Sequence, residues 1–151
     1  MEKSRSMKAS PLTLHGIEFV RVHVESDLEA ETRRAEQFQF DGTTLKWGLD
    51  HGRDEDNGTW WVAVGFGTHQ EDDEPRCPYI LDVQAVGIVS VSDQLPEKDH
   101  EKLAFEYGAA LVYGAIREMV TNITARSLAG PLMLPTPSFI GALETRKQPG
   151  N

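Results

Sequence analysis

Five histidines, one cysteine and several carboxylate clusters are the side chains that could do chemistry in this sequence. His15 and His23 share one strand-like stretch, His51 and His69 stand in acidic segments, and His100 precedes a helical one. No two occupy i and i+4, and there is no H-E-x-x-H, so the pair of imidazoles that a zinc hydrolase presents from one helix face is missing. Cys77, His69 and Asp72 can be drawn as nucleophile, base and orienting acid. Nothing in their spacing requires that arrangement, and Cys77 lies between Arg76 and Pro78. Gly65-Phe66-Gly67 is too short to cradle a phosphate and opens no helix. Asp54-Glu55-Asp56 and Glu71-Asp72-Asp73-Glu74 lack the alternating acids of a calcium loop and read as solvated faces. These residues imply no catalytic set, no metal and no cofactor, so a binding protein is expected rather than an enzyme.

Composition narrows what could be bound. A chain of 151 residues fits one domain with a modest core. Its net charge of −9 argues against nucleic acid and against an anionic membrane surface, both of which favour basic patches. The single cysteine excludes an internal disulfide. No apolar run approaches the ~20 residues of a membrane span. The opening "MEKSRSMKAS" lacks the apolar stretch of a signal peptide, which makes a cytoplasmic address the expectation. Residues 1–10 and 146–151 read as polar tails around a domain spanning 11–145.

Strands come first along the chain. In "LTLHGIEFVRVHVE", Val20, Val22 and Val24 alternate with Arg21, His23 and Glu25, the period of a half-buried strand. Leu12 and Leu14 share that phase while Ile17 and Phe19 do not, and a bulge near Gly16 accounts for the slip. "ESDLEAETRRAE" reads as a solvated connection. "FQFDGTTLKWGL" predicts a second strand broken at Asp41-Gly42 by a bulge or a short hairpin, with "DHGRDEDNG" as a loop. "TWWVAVGFGT" has a bulky face (Trp60, Val62, Val64, Phe66) and a face that is small after Trp61. A small face lets something else approach closely. "YILDVQAVGIVSVS" is apolar almost throughout.

From Asp93 the period changes to that of a helix. Leu103, Tyr107, Ala110, Leu111, Gly114, Met119 and Ile123 fall at helical spacings between an N-cap at Asp99 and a stop at Gly130-Pro131. Running from 99 to 127, that helix would be about 43 Å long, against a radius of gyration of about 15 Å for a domain of this size. It therefore reaches the edge of its subunit or beyond, and Gly108, Ala109, Ala110, Gly114 and Ala115 would let another helix come close. The expected fold is α+β, a four-stranded antiparallel sheet followed by a long helix. What remains is "SLAGPLMLPTPSF", which is apolar yet carries Pro131, Pro135 and Pro137, so it can be neither a regular helix nor a central strand. Such a segment either covers a core or presents a surface, and both can hold for different residues.

Two stretches carry a resemblance. "YILDVQAVGIVSV" resembles the fourth strand of the SecB export chaperones. "LAFEYGAALVYGAIREMVTNITARSLAGPLMLPTPSF" resembles that family's long helix and the crossover that follows it. The resemblance implies a short C-terminal helix after the crossover and a homotetramer built as a dimer of dimers, with the long helices between dimers. It further implies non-native polypeptides or preproteins as clients, bound in apolar grooves without cofactor or nucleotide. The client-binding candidates are Trp60, Trp61, Leu128, Leu132, Met133, Leu134 and Phe139. Ile80 and Asp82 fall where the family meets the export motor SecA, and Tyr107, Gly108, Leu111, Gly114 and Ala115 would lie in the oligomer interface. A SecB-like chaperone dedicated to an antitoxin is the first alternative. A small thioesterase-like enzyme is the second, although such enzymes usually place their helix early among the strands.

Overall fold

The computed structural model describes residues 8–68 and 74–147. Strands β1 (Leu12–Ser26), β2 (Leu45–Asp54), β3 (Thr59–Thr68) and β4 (Tyr79–Val91) form one sheet, followed by helix α1 (His100–Thr124), an extended crossover and helix α2 (Ala142–Lys147). All pairings are antiparallel and the order is β1-β4-β3-β2, so β1 and β2 are the edges. α1 packs on β4, β3 and β1. It covers the bulky face of the sheet, where Val62, Val64, Phe66, Leu81, Val83, Ala85 and Val89 are buried.

β1 carries two irregularities, between Leu14 and Gly16 and between Phe19 and Arg21. One extra residue moves the inward phase from even to odd positions, and the second moves it back. Leu12, Leu14, Ile17, Phe19, Val22 and Val24 can therefore all face the helix. The sequence indicates the first bulge; the second, at Val20, follows only from the return of phase at Val22.

Two boundaries differ from the expected ones. Phe38 and Phe40 are not in a strand. They follow a short 3-10 turn (Ala35–Gln37) and pack edge to face at 5.0 Å, with Phe38 in the core. Conversely, "DHGRD" is not loop but the second half of β2, because it has strand partners on β3: His51 pairs with Val62 and Gly52 with Trp61. A side chain at Gly52 would begin 2.5 Å from the indole of Trp61, so glycine is what lets that ring lie across the strand. The hairpin turns instead through Gly58, at φ 64°.

α1 has 25 residues, or about 38 Å. It starts after a 3-10 turn (Glu97–Asp99), and the Asp99 side chain makes no capping bond. Its buried face holds Ala104, Phe105, Gly108, Ala109, Val112, Tyr113, Ile116 and Val120. The expectation that Gly108 faces outward is thereby corrected: a Cβ there would stand 2.9 Å from Val62 Cγ2, so Gly108 brings the helix down on β3. Tyr107, Leu111 and Gly114 are exposed on the other side and Ala115 is half-buried. The helix is thus apolar on two faces, of which the sheet uses one.

The fit of α1 to the sheet gives a first prediction. A Cβ at Gly87 would lie 2.5 Å from Val112 Cγ2, whereas nothing stands within 4 Å of one at Gly114. Gly87→Ala should lose about 1–3 kcal/mol of stability in urea unfolding through overpacking. In the monomer, Gly114→Ala should gain up to about 1 kcal/mol from helix propensity. Equal effects at the two sites would contradict the packing described.

Candidate functional site

The crossover doubles back along α1, and its three prolines leave it short of backbone donors. Side chains supply its hydrogen bonds instead. Thr121 Oγ1 shares its proton between the Arg117 carbonyl at 2.9 Å and the Leu132 carbonyl at 3.1 Å, and the Leu132 N–H donates to Thr124 Oγ1 at 2.9 Å. The Tyr79 hydroxyl donates to the Gly130 carbonyl at 2.7 Å and accepts from the Ala129 N–H at 3.1 Å. Tyr113 donates to the Pro135 carbonyl, and Arg117 to Thr136 Oγ1 at 2.6 Å. At the far end Glu106 Oε1 accepts from the Gly141 N–H at 2.6 Å.

Held this way, the segment alternates. Leu132, Leu134 and Phe139 are in the core, while Leu128, Met133 and Ile140 are 76%, 66% and 81% exposed. The expectation of an open surface at Leu132, Leu134 and Phe139 is therefore corrected: alternation turns Leu132 and Leu134 toward α1, and Phe139, past Pro135 and Pro137 and out of that phase, turns inward among aromatic rings. Phe139 packs with Tyr113 at 5.9 Å and Trp47 at 6.1 Å, and Trp47 lies 4.8 Å from Phe66. Two grooves flank Ile140. One, of about 220 Å³, lies toward Tyr107 and Ala110; the other, of about 520 Å³, lies toward Leu49, Phe105 and Arg146.

The remaining candidates are dispersed. Trp60 is half-buried on the helix side near His51 and beneath Arg53, and Trp61 is half-buried on the opposite face. Neither lines the grooves beside Ile140. Ile80 and Asp82 lie on the sheet face away from α1, along a hollow floored by Gly48, Gly65 and Gly67, with Asp82 paired to Arg21 at 2.8 Å. Cys77 is fully buried, and desolvation pushes its thiol up to about 11, the opposite of what a nucleophile needs. His69 and Asp72, drawn with it above, lie outside the described residues. Trp47, Ile140 and Glu106 are not among the site residues that the sequence suggests. Ile140 stands just before the chain turns at Gly141 (φ 82°), and α2 begins after it.

α2 is pinned to β2 and α1 by charge. Arg146 donates to Asp50 and, at 3.1 Å, to His51 Nδ1; His51 Nε2 meets Glu101 at 3.1 Å. A guanidinium only donates, so Nδ1 must accept and Nε2 carries the proton toward Glu101. Lys147 pairs with Glu101 and Lys102 with Glu144. The Arg146 bond holds Asp50 below its ordinary 3.8, and the His51 bond, with Lys147, holds Glu101 below 4.5.

A four-stranded antiparallel sheet, one long helix across it, a returning crossover and a short last helix define the SecB-like fold. Among solved structures the chain is similar to the SecB-like chaperone Rv1957 of Mycobacterium tuberculosis in complex with a ChAD peptide from the HigA1 antitoxin Rv1956. The TM-score is 0.56 at 18% identity, covering 85% of this chain and 91% of that one. A Streptococcus agalactiae protein of unknown function is similar at TM-score 0.47 and 11% identity, covering 85% and 99%. No family model and no curated protein matches the sequence.

The lowered carboxylates fix the pH response of α2. Groups whose folded values are depressed stabilise the docked helix above 4.5, and that contribution is lost as the pH falls below 3.8. Amide exchange of α2 relative to α1 should accelerate through that window, and Asp50→Asn should weaken the response. A constant ratio down to pH 3 would show that α2 is held by other means.

Proposed function

We propose that this chain is a SecB-type chaperone that holds non-native polypeptides against the crossover surface. The observation that carries the reading is the division within the crossover, where a proline-stiffened segment anchors Leu132 and Leu134 and leaves Leu128, Met133 and Ile140 in water. A stiff segment loses little conformational entropy when it binds. Isolated apolar side chains, one of them an adaptable methionine, suit many sequences equally. The SecB-like fold supports the same reading. Retention of preproteins for export is its general form, with Ile80 and Asp82 meeting SecA. The antitoxin peptide held by the similar mycobacterial chaperone favours the narrower form, a dedicated antitoxin client.

Assembly belongs to this proposal as well. The second apolar face of α1, with Tyr107 57% and Leu111 42% exposed and Gly114 open, is suited to a helix from another copy in a tetramer. Ala115 sits at its margin. Leu111→Glu should then lower the mass measured by sedimentation without unfolding the chain, and a monomeric parent protein would refute the assembly.

Anisotropy of a labelled, permanently unfolded polypeptide, set beside its folded counterpart, tests the binding. The unfolded form should bind selectively, and joint replacement of Leu128, Met133 and Ile140 by Ser should weaken it by at least about tenfold with the fold intact. Leu132→Ala should instead cost about 2–5 kcal/mol of stability. Absence of binding to the unfolded form would remove the function and leave the fold.

A further inference from the structure

Glu106 is 5% exposed on α1 and forms part of the wall of the groove beside Ile140. Its Oε1 accepts the Gly141 N–H at 2.6 Å, and its Oε2 is buried with no hydrogen-bond partner among the described residues. The nearest cation along the helix, Lys102, attracts it through space but gives its hydrogen bond to Glu144 at 3.2 Å, so Oε2 is left without a donor. A buried carboxylate oxygen without a donor is costly, and a donor entering the groove would recover that cost. The rest of the wall is largely apolar, formed by Tyr107, Ala110, Pro137, Phe139 and Ile140 around about 220 Å³. An apolar channel with one acid in its wall matches a side chain that has a hydrocarbon stem and a cationic tip.

We propose that this groove is a subsite for a lysine or arginine side chain of the bound polypeptide, its stem against Pro137 and Ile140 of the crossover and its charge on Glu106. The proposal rests on the chaperone reading and gives it a selectivity that the exposed Leu128, Met133 and Ile140 alone cannot provide. A second copy of the chain is a poorer occupant. A two-fold contact through the outer face of α1 would present Tyr107, Ala110, Leu111 and Gly114 to their own equivalents, and none of these carries a cation. The overall charge of −9 draws basic segments toward the chain from any direction, so the test must separate Glu106 from that general attraction.

The probes are two unfolded peptides differing at one position, lysine in one and norleucine in the other, titrated by anisotropy against the full-length protein. The lysine peptide should bind about tenfold more tightly, as expected for one hydrogen bond to a charged group. In Glu106→Gln, which keeps the acceptor for Gly141, that preference should fall to within about twofold. Acetylating the lysine should abolish the preference on the parent protein, which decides the matter should the variant fold poorly. Equal binding of the two peptides by the parent protein would overturn the subsite, as would a preference that survives in a folded Glu106→Gln protein. A changed sedimentation coefficient in Glu106→Gln with the peptide preference intact would assign the groove to another copy instead. Failure of both peptides to bind would bring down the chaperone reading and this one with it.

Discussion

A proline-rich chain that must pack against a helix cannot supply enough of its own backbone donors, and the architecture around α1 is arranged to make up the deficit. Thr121, Thr124, Tyr113, Arg117 and Glu106 form a row of polar side chains on the helix, each meeting the crossover at successive points from Leu132 to Gly141. Both backbone groups of Leu132 are bonded to threonines, which fixes the phase of the extended segment that follows. That phase makes Leu134 core and Met133 surface. Tyr79 extends the same logic to the sheet, since its hydroxyl ties β4 to the start of the crossover through Ala129 and Gly130.

α1 links two problems of burial. Its inner face is made of small and medium residues where it crosses β3 and β4, so the helix sits low over the sheet at Gly108 and Gly87. Its outer face repeats the apolar character without a partner in the single chain. The edge strand β1 shares that condition, because Leu14 and Val22 point to the helix side of the sheet and still remain 40% exposed. Uncovered apolar residues on α1 and β1 lie next to one another, around a groove of about 580 Å³ lined by Leu12, Leu14, Leu103 and Leu111.

Regular elements were legible in the sequence where side chains alternated strongly. β3 follows from its two unequal alternating faces, β4 from an almost continuous apolar run, and α1 from the change of period after Asp93. What the sequence conceals is direction. Tyr107, Leu111 and Gly114 have helical spacing, but so do Phe105, Val112 and Ile116, and periodicity alone does not say which stripe meets the sheet. The end of β2 was hidden for a different reason: Asp50, Gly52 and Asp54 look like turn residues until Trp61 is seen lying over Gly52. In the crossover, composition marked the segment, yet the partition of its leucines depends on Thr121 and Thr124, eleven and eight residues before Leu132. Glu106 carried no signal of burial, since a glutamate in a helix is ordinarily a solvent-facing residue.

The two bulges of β1 also bear on how this strand can vary in length. Fifteen residues of β1 oppose thirteen of β4, and the surplus is His15 and Val20. Removal of either residue alone would delete its own bulge and leave the residues on both sides opposite the same β4 partners, because the other bulge still absorbs its own extra residue. Removal of both would give an unbroken alternation in which Leu12, Leu14, Ile17, Phe19, Val22 and Val24 still point at the helix. Length changes in this strand are therefore tolerable at the two bulges and disruptive between them, a rule of position that a family of related chains would have to obey as it diverged.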